Sequence, residues 1–110
     1  MAKGLLIVLS EAAEGEDEAF NRWYSQVHAP EIVARGAAVS FRRFRASGVP
    51  LMGGVPEPGT YAAVYEIEAE TVEDVKAIEQ RLQDTKHMST GVDPSLDRSS
   101  VRAAYFLPVD

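Results

Sequence analysis

The order in which hydrophobic periodicity changes along this chain limits its folds more than any other feature. Gly4 to Ser10 is a nearly unbroken aliphatic run, as expected of a central strand buried on both faces. Phe20, Trp23, Tyr24, Val27 and His28 then recur at the i, i+3, i+4, i+7, i+8 spacing of one helix face. Ala38 to Ser47 alternates with period two, as does Thr60 to Glu68. Val75, Ile78 and Leu82 return to helical spacing, and Ser99 to Pro108 alternates again. The elements read β-α-β-β-α-β. This predicts an α+β chain in the ferredoxin-like arrangement, an antiparallel four-stranded sheet with two helices on one face.

Local signals support the boundaries. The acidic stretch from Glu11 to Glu18 suits a helix N-terminus. That helix is expected to run to about His28, where Pro30 ends it and opens a short extra turn over Ala29 to Ala34. Gly36 is placed to cap that turn. Thr71-Val72-Glu73-Asp74 reads as a capping box with Asp in the place of Glu or Gln. Gly48 to Gly59 holds four Gly and three Pro and must be a loop, a candidate lid or an arm toward a partner subunit. Asp84 to Asp97 is a polar loop containing His87.

Residues 1–110 are read as a single domain of ordinary apolar (45%) and charged (25%) content. No run is long and apolar enough for a membrane span, and the first ten residues read as a strand rather than a signal peptide. The absence of Cys excludes disulfides, thiolate metal sites and Cys nucleophiles, and fits a cytoplasmic location. Two His and no Cys can supply one axial haem ligand and no convincing metal cluster, and no cofactor is expected. The net charge of −6 opposes nucleic acid and anionic membrane as partners. RNA-recognition modules share this element order, but Phe41-Arg42-Arg43-Phe44 is only a faint echo of their aromatic motif. Two helices cover one sheet face, yet the strands offer apolar residues on both. A homodimer with its sheets facing each other is therefore expected.

With this topology, Trp23-Tyr24-Ser25-Gln26-Val27-His28-Ala29-Pro30-Glu31 resembles the W-Y-x-x-V-H-x-P-E signature of EthD-like proteins in the dimeric α+β barrel superfamily. The strands Val39 to Phe44 and Tyr61 to Ile67 also look like that family. The resemblance implies a dimer whose two sheets form a barrel, each protomer holding a pocket between sheet and helices. Relatives in the superfamily include cofactor-free monooxygenases, muconolactone isomerases, polyketide cyclases and dehydratases, and haem enzymes.

His28 is the first candidate for catalysis, because an imidazole takes and gives protons near neutral pH. Tyr24 lies one helical turn earlier and is the second, its hydroxyl placed to hold a substrate oxygen. Trp23, Arg43, Tyr65, His87 and Tyr105 are candidate substrate-binding residues. Each also has a plain structural reading: pocket wall for Trp23, core or dimer contact for Tyr65 and Tyr105, and solvated loop for His87. Arg43 and Arg45 share a strand face with Phe41 and would need a buried carboxylate or a ligand anion. Arg42, on the other face, is expected to pair with Glu66 or Glu68 across the hairpin. Glu31 is placed to orient His28 or to cap the short helix. The sequence thus points to a small cofactor-independent enzyme moving protons on an aromatic, polyketide or lactone-like molecule. A non-catalytic ligand-binding or dimerisation module and a cofactor-free monooxygenase are the alternatives.

Overall fold

In the computed structural model, residues 3–56, 60–84 and 92–110 are described. Among them, β1 (Gly4–Ala12), β2 (Ser40–Arg45), β3 (Tyr61–Ile67) and β4 (Leu96–Phe106) form one antiparallel sheet in the order β2-β3-β1-β4. Helices α1 (Asp17–Trp23), α2 (Ala29–Ala34) and α3 (Val72–Gln83) complete the α+β arrangement. A short 3₁₀ turn, Leu51–Gly53, lies in the loop between β2 and β3. No helix among the described residues is long and apolar enough to cross a membrane.

The expected break at Pro30 does not occur. Tyr24–His28 is a π-helical turn, and backbone angles stay helical at Trp23, Tyr24, His28 and Ala29, so α1 and α2 form one continuous helix. Proline cannot donate to the carbonyl one turn back, and its ring crowds that carbonyl. The wider turn just before it relieves both problems, with the Ala29 N–H reaching the carbonyl of Tyr24, five residues back. The helix closes as expected at Gly36 (φ +78°): the Gly36 N–H donates to Val33 O and the Ala37 N–H to Ile32 O, a Schellman motif. The capping box at α3 also forms, with Thr71 Oγ1 accepting from the Asp74 N–H and Asp74 Oδ2 accepting from the Thr71 N–H.

Strand register fixes two faces. Leu6 stands between Tyr65 on β3 and Tyr105 on β4, and Val8 between Ala63 on β3 and Ala103 on β4. Phe41 lies beside Tyr65 and Arg43 beside Ala63. These residues face the helices, and Phe20, Tyr65 and Ile67 are wholly buried among them. The opposite face carries Leu5, Ile7, Leu9, Val64, Phe44 and Phe106. It stays open, with Leu5 38%, Phe44 44% and Phe106 50% exposed. The expectation that β1 is buried on both faces is therefore corrected within this chain, because both helices pack on one side. Gly4 lets the sheet close at its end: a Cβ there would stand 2.5 Å from the Phe106 carbonyl oxygen.

The ion-pair expectation for Arg42 also changes. Glu66 pairs with Lys3 (2.9 Å) and accepts from the Ser40 hydroxyl (3.3 Å) rather than meeting Arg42. The register sets Arg42 opposite Val64, and its guanidinium lies over the Phe44 ring at 4.9 Å.

Candidate functional site

The π turn brings together side chains that an α-helix would separate. Residues five apart on an α-helix point to different sides. Here the His28 imidazole stacks on the Trp23 indole, with centroids 4.7 Å apart and planes at 21°. Tyr24 meets the same imidazole edge-on at 4.9 Å. Below them, Tyr65 rises from the middle of β3 and its hydroxyl donates to the Tyr24 hydroxyl at 3.0 Å.

Between these groups and the sheet lies a cavity of about 340 Å³. Its polar lining consists of Tyr24, His28, Tyr65, Tyr105 and Glu79. Its apolar walls include Leu6, Val8, Ile32, Leu82 and Val101. Helix and sheet each supply part of the lining, so the cavity is a product of the layer packing rather than of one loop. Four of the residues singled out from the sequence therefore converge: His28, Tyr24, Tyr65 and Tyr105.

Burial sets the protonation of these groups. It pushes the His28 imidazole below its ordinary value, against a smaller upward pull from the Glu31 carboxylate, so His28 is neutral at pH 7. Burial also raises the Tyr24 phenol, an effect partly offset by the hydrogen bond from Tyr65 and by the nearby Arg43 charge. Tyr65 is raised strongly, first by burial and then by Tyr24. Tyr105 is raised by burial and by its hydrogen bond to Glu79. All three phenols hold their protons at neutral pH. Because Tyr65 donates to Tyr24, the Tyr24 proton is left to be given to something else.

Trp23 does not line the cavity. It backs His28 from the side, as a wall behind the catalytic candidate. Arg43 departs further from expectation. Among the described residues, neither a buried carboxylate nor the cavity receives it. Its guanidinium lies over the rings of Tyr24 (4.5 Å), Phe20 (5.4 Å) and Tyr61 (5.6 Å), and donates to Ser25 Oγ at 3.0 Å. Aromatic faces, not an anion, hold this charge. Arg45 is exposed at the end of β2. His87 lies outside the described residues. The described part of the long loop, 48–56, contributes nothing to the cavity lining, and Val49, Leu51, Met52 and Val55 in it are largely exposed.

Glu79 is the cavity residue that the sequence reading missed. It sits four residues after Val75 and three before Leu82, on the apolar stripe of α3. A carboxylate on such a stripe was the available signal. Its Oε1 accepts from the Tyr105 hydroxyl at 2.5 Å and its Oε2 from Gln83 Nε2 at 3.1 Å. No group of three or more metal-ligating side chains occurs among the described residues.

No family model and no curated protein matches this chain. Solved structures do. The chain is similar to an EthD-like protein from Ralstonia eutropha JMP134, with a TM-score of 0.56 at 14% identity, covering 100% of this chain and 95% of that one. It is also similar to an ethyl tert-butyl ether D (EthD) family protein from Bacillus halodurans C-125, with a TM-score of 0.55 at 13% identity, covering 99% and 100%. The resemblance read from the Trp23 to Glu31 motif is borne out at the level of the fold.

Proposed function

We propose, from a fold shared with EthD-like proteins, that this chain is a small cofactor-independent enzyme that moves protons on an aromatic, polyketide or lactone-like ligand held between sheet and helices. The observation that carries this reading is the convergence of a neutral imidazole and three protonated phenols on one cavity. Isomerisation, cyclisation and dehydration beside a carbonyl all require a proton to be taken from one atom and given to another. A neutral imidazole can take the proton, and a phenol can hold the developing oxyanion. In this reading His28 is the base. Tyr24 donates to the ligand carbonyl, its oxygen steadied by the hydrogen bond from Tyr65. The apolar walls strengthen these contacts by excluding water.

The test is deuterium incorporation. Enolisable ketones, lactones and phenols are incubated with the protein in D₂O, and exchange beside the oxygen-bearing carbon is followed by NMR. One compound class should exchange faster with protein than without, and His28→Ala should slow that exchange at least about a hundredfold. Exchange no faster than in buffer for any compound would leave a non-catalytic binding module as the reading. That second reading is supported by His28, whose ring is packed as a core aromatic would be, stacked on Trp23 and edge-on to Tyr24.

We further propose that the open sheet face joins a second copy of the chain, as the dimeric α+β barrel resemblance implies. Leu5 of β1, Phe44 of β2 and Phe106 of β4 are exposed on that face and Val64 of β3 is half-buried there, an apolar surface that a second copy would cover.

A further inference from the structure

We infer that Glu79 decides what the cavity accepts: an uncharged ligand that offers a hydroxyl donor, and not a carboxylate. The inference rests on the cavity being the ligand site, as proposed above. Glu79 is the charged side chain among the described lining residues. It is held from both sides, by Tyr105 on β4 and by Gln83 one turn along α3. A carboxylate offers about four acceptor positions, and these two bonds use two of them. The remaining positions require a donor.

The other polar groups fit the same ligand. The Tyr105 hydroxyl donates its hydrogen bond to Glu79 and the Tyr65 hydroxyl donates its own to Tyr24, so neither is free to donate elsewhere. Tyr24 then supplies the donor for a ligand carbonyl or ether oxygen. Arg43, the cation nearest the tyrosines, is turned away onto aromatic faces and bonded to Ser25 and Asn21, so it does not neutralise an acid inside the cavity. A ligand carboxylate would enter beside the Glu79 carboxylate between apolar walls, where like charges repel strongly.

Three probes of one shape separate the possibilities: 2-naphthol (uncharged, donor), 2-methoxynaphthalene (uncharged, no donor) and 2-naphthoate (anion). Binding is measured by calorimetry to wild type, Glu79→Gln and Tyr105→Phe. Wild type should bind 2-naphthol at least about tenfold tighter than either other probe. Glu79→Gln should bring 2-naphthoate to within about threefold of 2-naphthol, since the repulsion is gone. Tyr105→Phe keeps the carboxylate and should keep the wild-type order. Equal binding of 2-naphthoate and 2-naphthol by wild type, or an order that survives Glu79→Gln, overturns the inference. If His28-dependent exchange persists alongside either result, the proton-transfer reading stands without it. Binding of none of the three overturns the inference together with the cavity reading.

Discussion

The Trp23 indole lies flat on the His28 imidazole, with centroids 4.7 Å apart. Trp23 is the single Trp of the chain, so its emission reports on this imidazole. A protonated imidazole in contact should quench it. Burial lowers the His28 pKa from 6.5, so acid titration should quench the emission with a midpoint below that value. The linkage follows in sign. Below pH 6.5 the unfolded chain takes the proton before the folded one does, so stability declines as pH falls through this range. His28→Gln should remove both the fluorescence step and that part of the decline. A midpoint above 6.5 would contradict the burial of this ring.

The Tyr65 to Tyr24 hydrogen bond predicts a coupling. Tyr65 is wholly buried and Tyr24 nearly so, at 4% exposure. Tyr65→Phe keeps the ring and removes the donor, and should cost about 1–3 kcal/mol in urea unfolding. Tyr24→Phe leaves the Tyr65 hydroxyl buried without its acceptor and should cost a similar amount. The double variant should cost clearly less than the sum, because it removes the polar pair rather than half of it. Additive costs would mean that the two hydroxyls do not depend on each other.

The strand order, the Gly36 and Thr71 caps and the meeting of His28 with Tyr24 were legible because each follows from local spacing. An i, i+4 pair is set by helix geometry alone, and a capping box by four consecutive residues. The Trp23–His28 stack was not legible. It depends on a π turn whose extra residue no periodicity announces, although Pro30 marks the place where an α-helix is under pressure. Glu79 was passed over because a lone carboxylate on a helix usually faces water. Only the packing of α3 against β4 turns it toward Tyr105. The pairing of Arg42 with Glu66 failed for a different reason: the register puts Ser40 opposite Glu66, and Lys3 reaches it from the start of β1.

Arg43 should behave as a structural group rather than a ligand-binding one. Its planar guanidinium covers the Tyr24 ring while Nη1 donates to both Ser25 Oγ and Asn21 O, and a lysine ammonium lacks the flat face that stacks on the ring. Arg43→Lys should lower stability by about 1–2 kcal/mol, measured by urea unfolding. Ligand affinity at the cavity should change by less than about threefold, since the side chain does not line it. A large loss of affinity with unchanged stability would return Arg43 to the binding site.

The open sheet face makes the last prediction. Ile7 sits at its centre on β1, between Val64 on β3 and Ala104 on β4, with Phe106 nearby. In a two-fold pair of facing sheets any substitution occurs twice, and a charge placed there is buried in both copies without a partner. Wild type should sediment at twice the chain mass. Ile7→Lys should sediment at the chain mass at the same concentration while keeping the helical and strand signals in circular dichroism. In the monomer that charge faces water, so the fold has little reason to fail. Wild type sedimenting at the chain mass would remove the dimer. A dimeric Ile7→Lys would move the contact off this face.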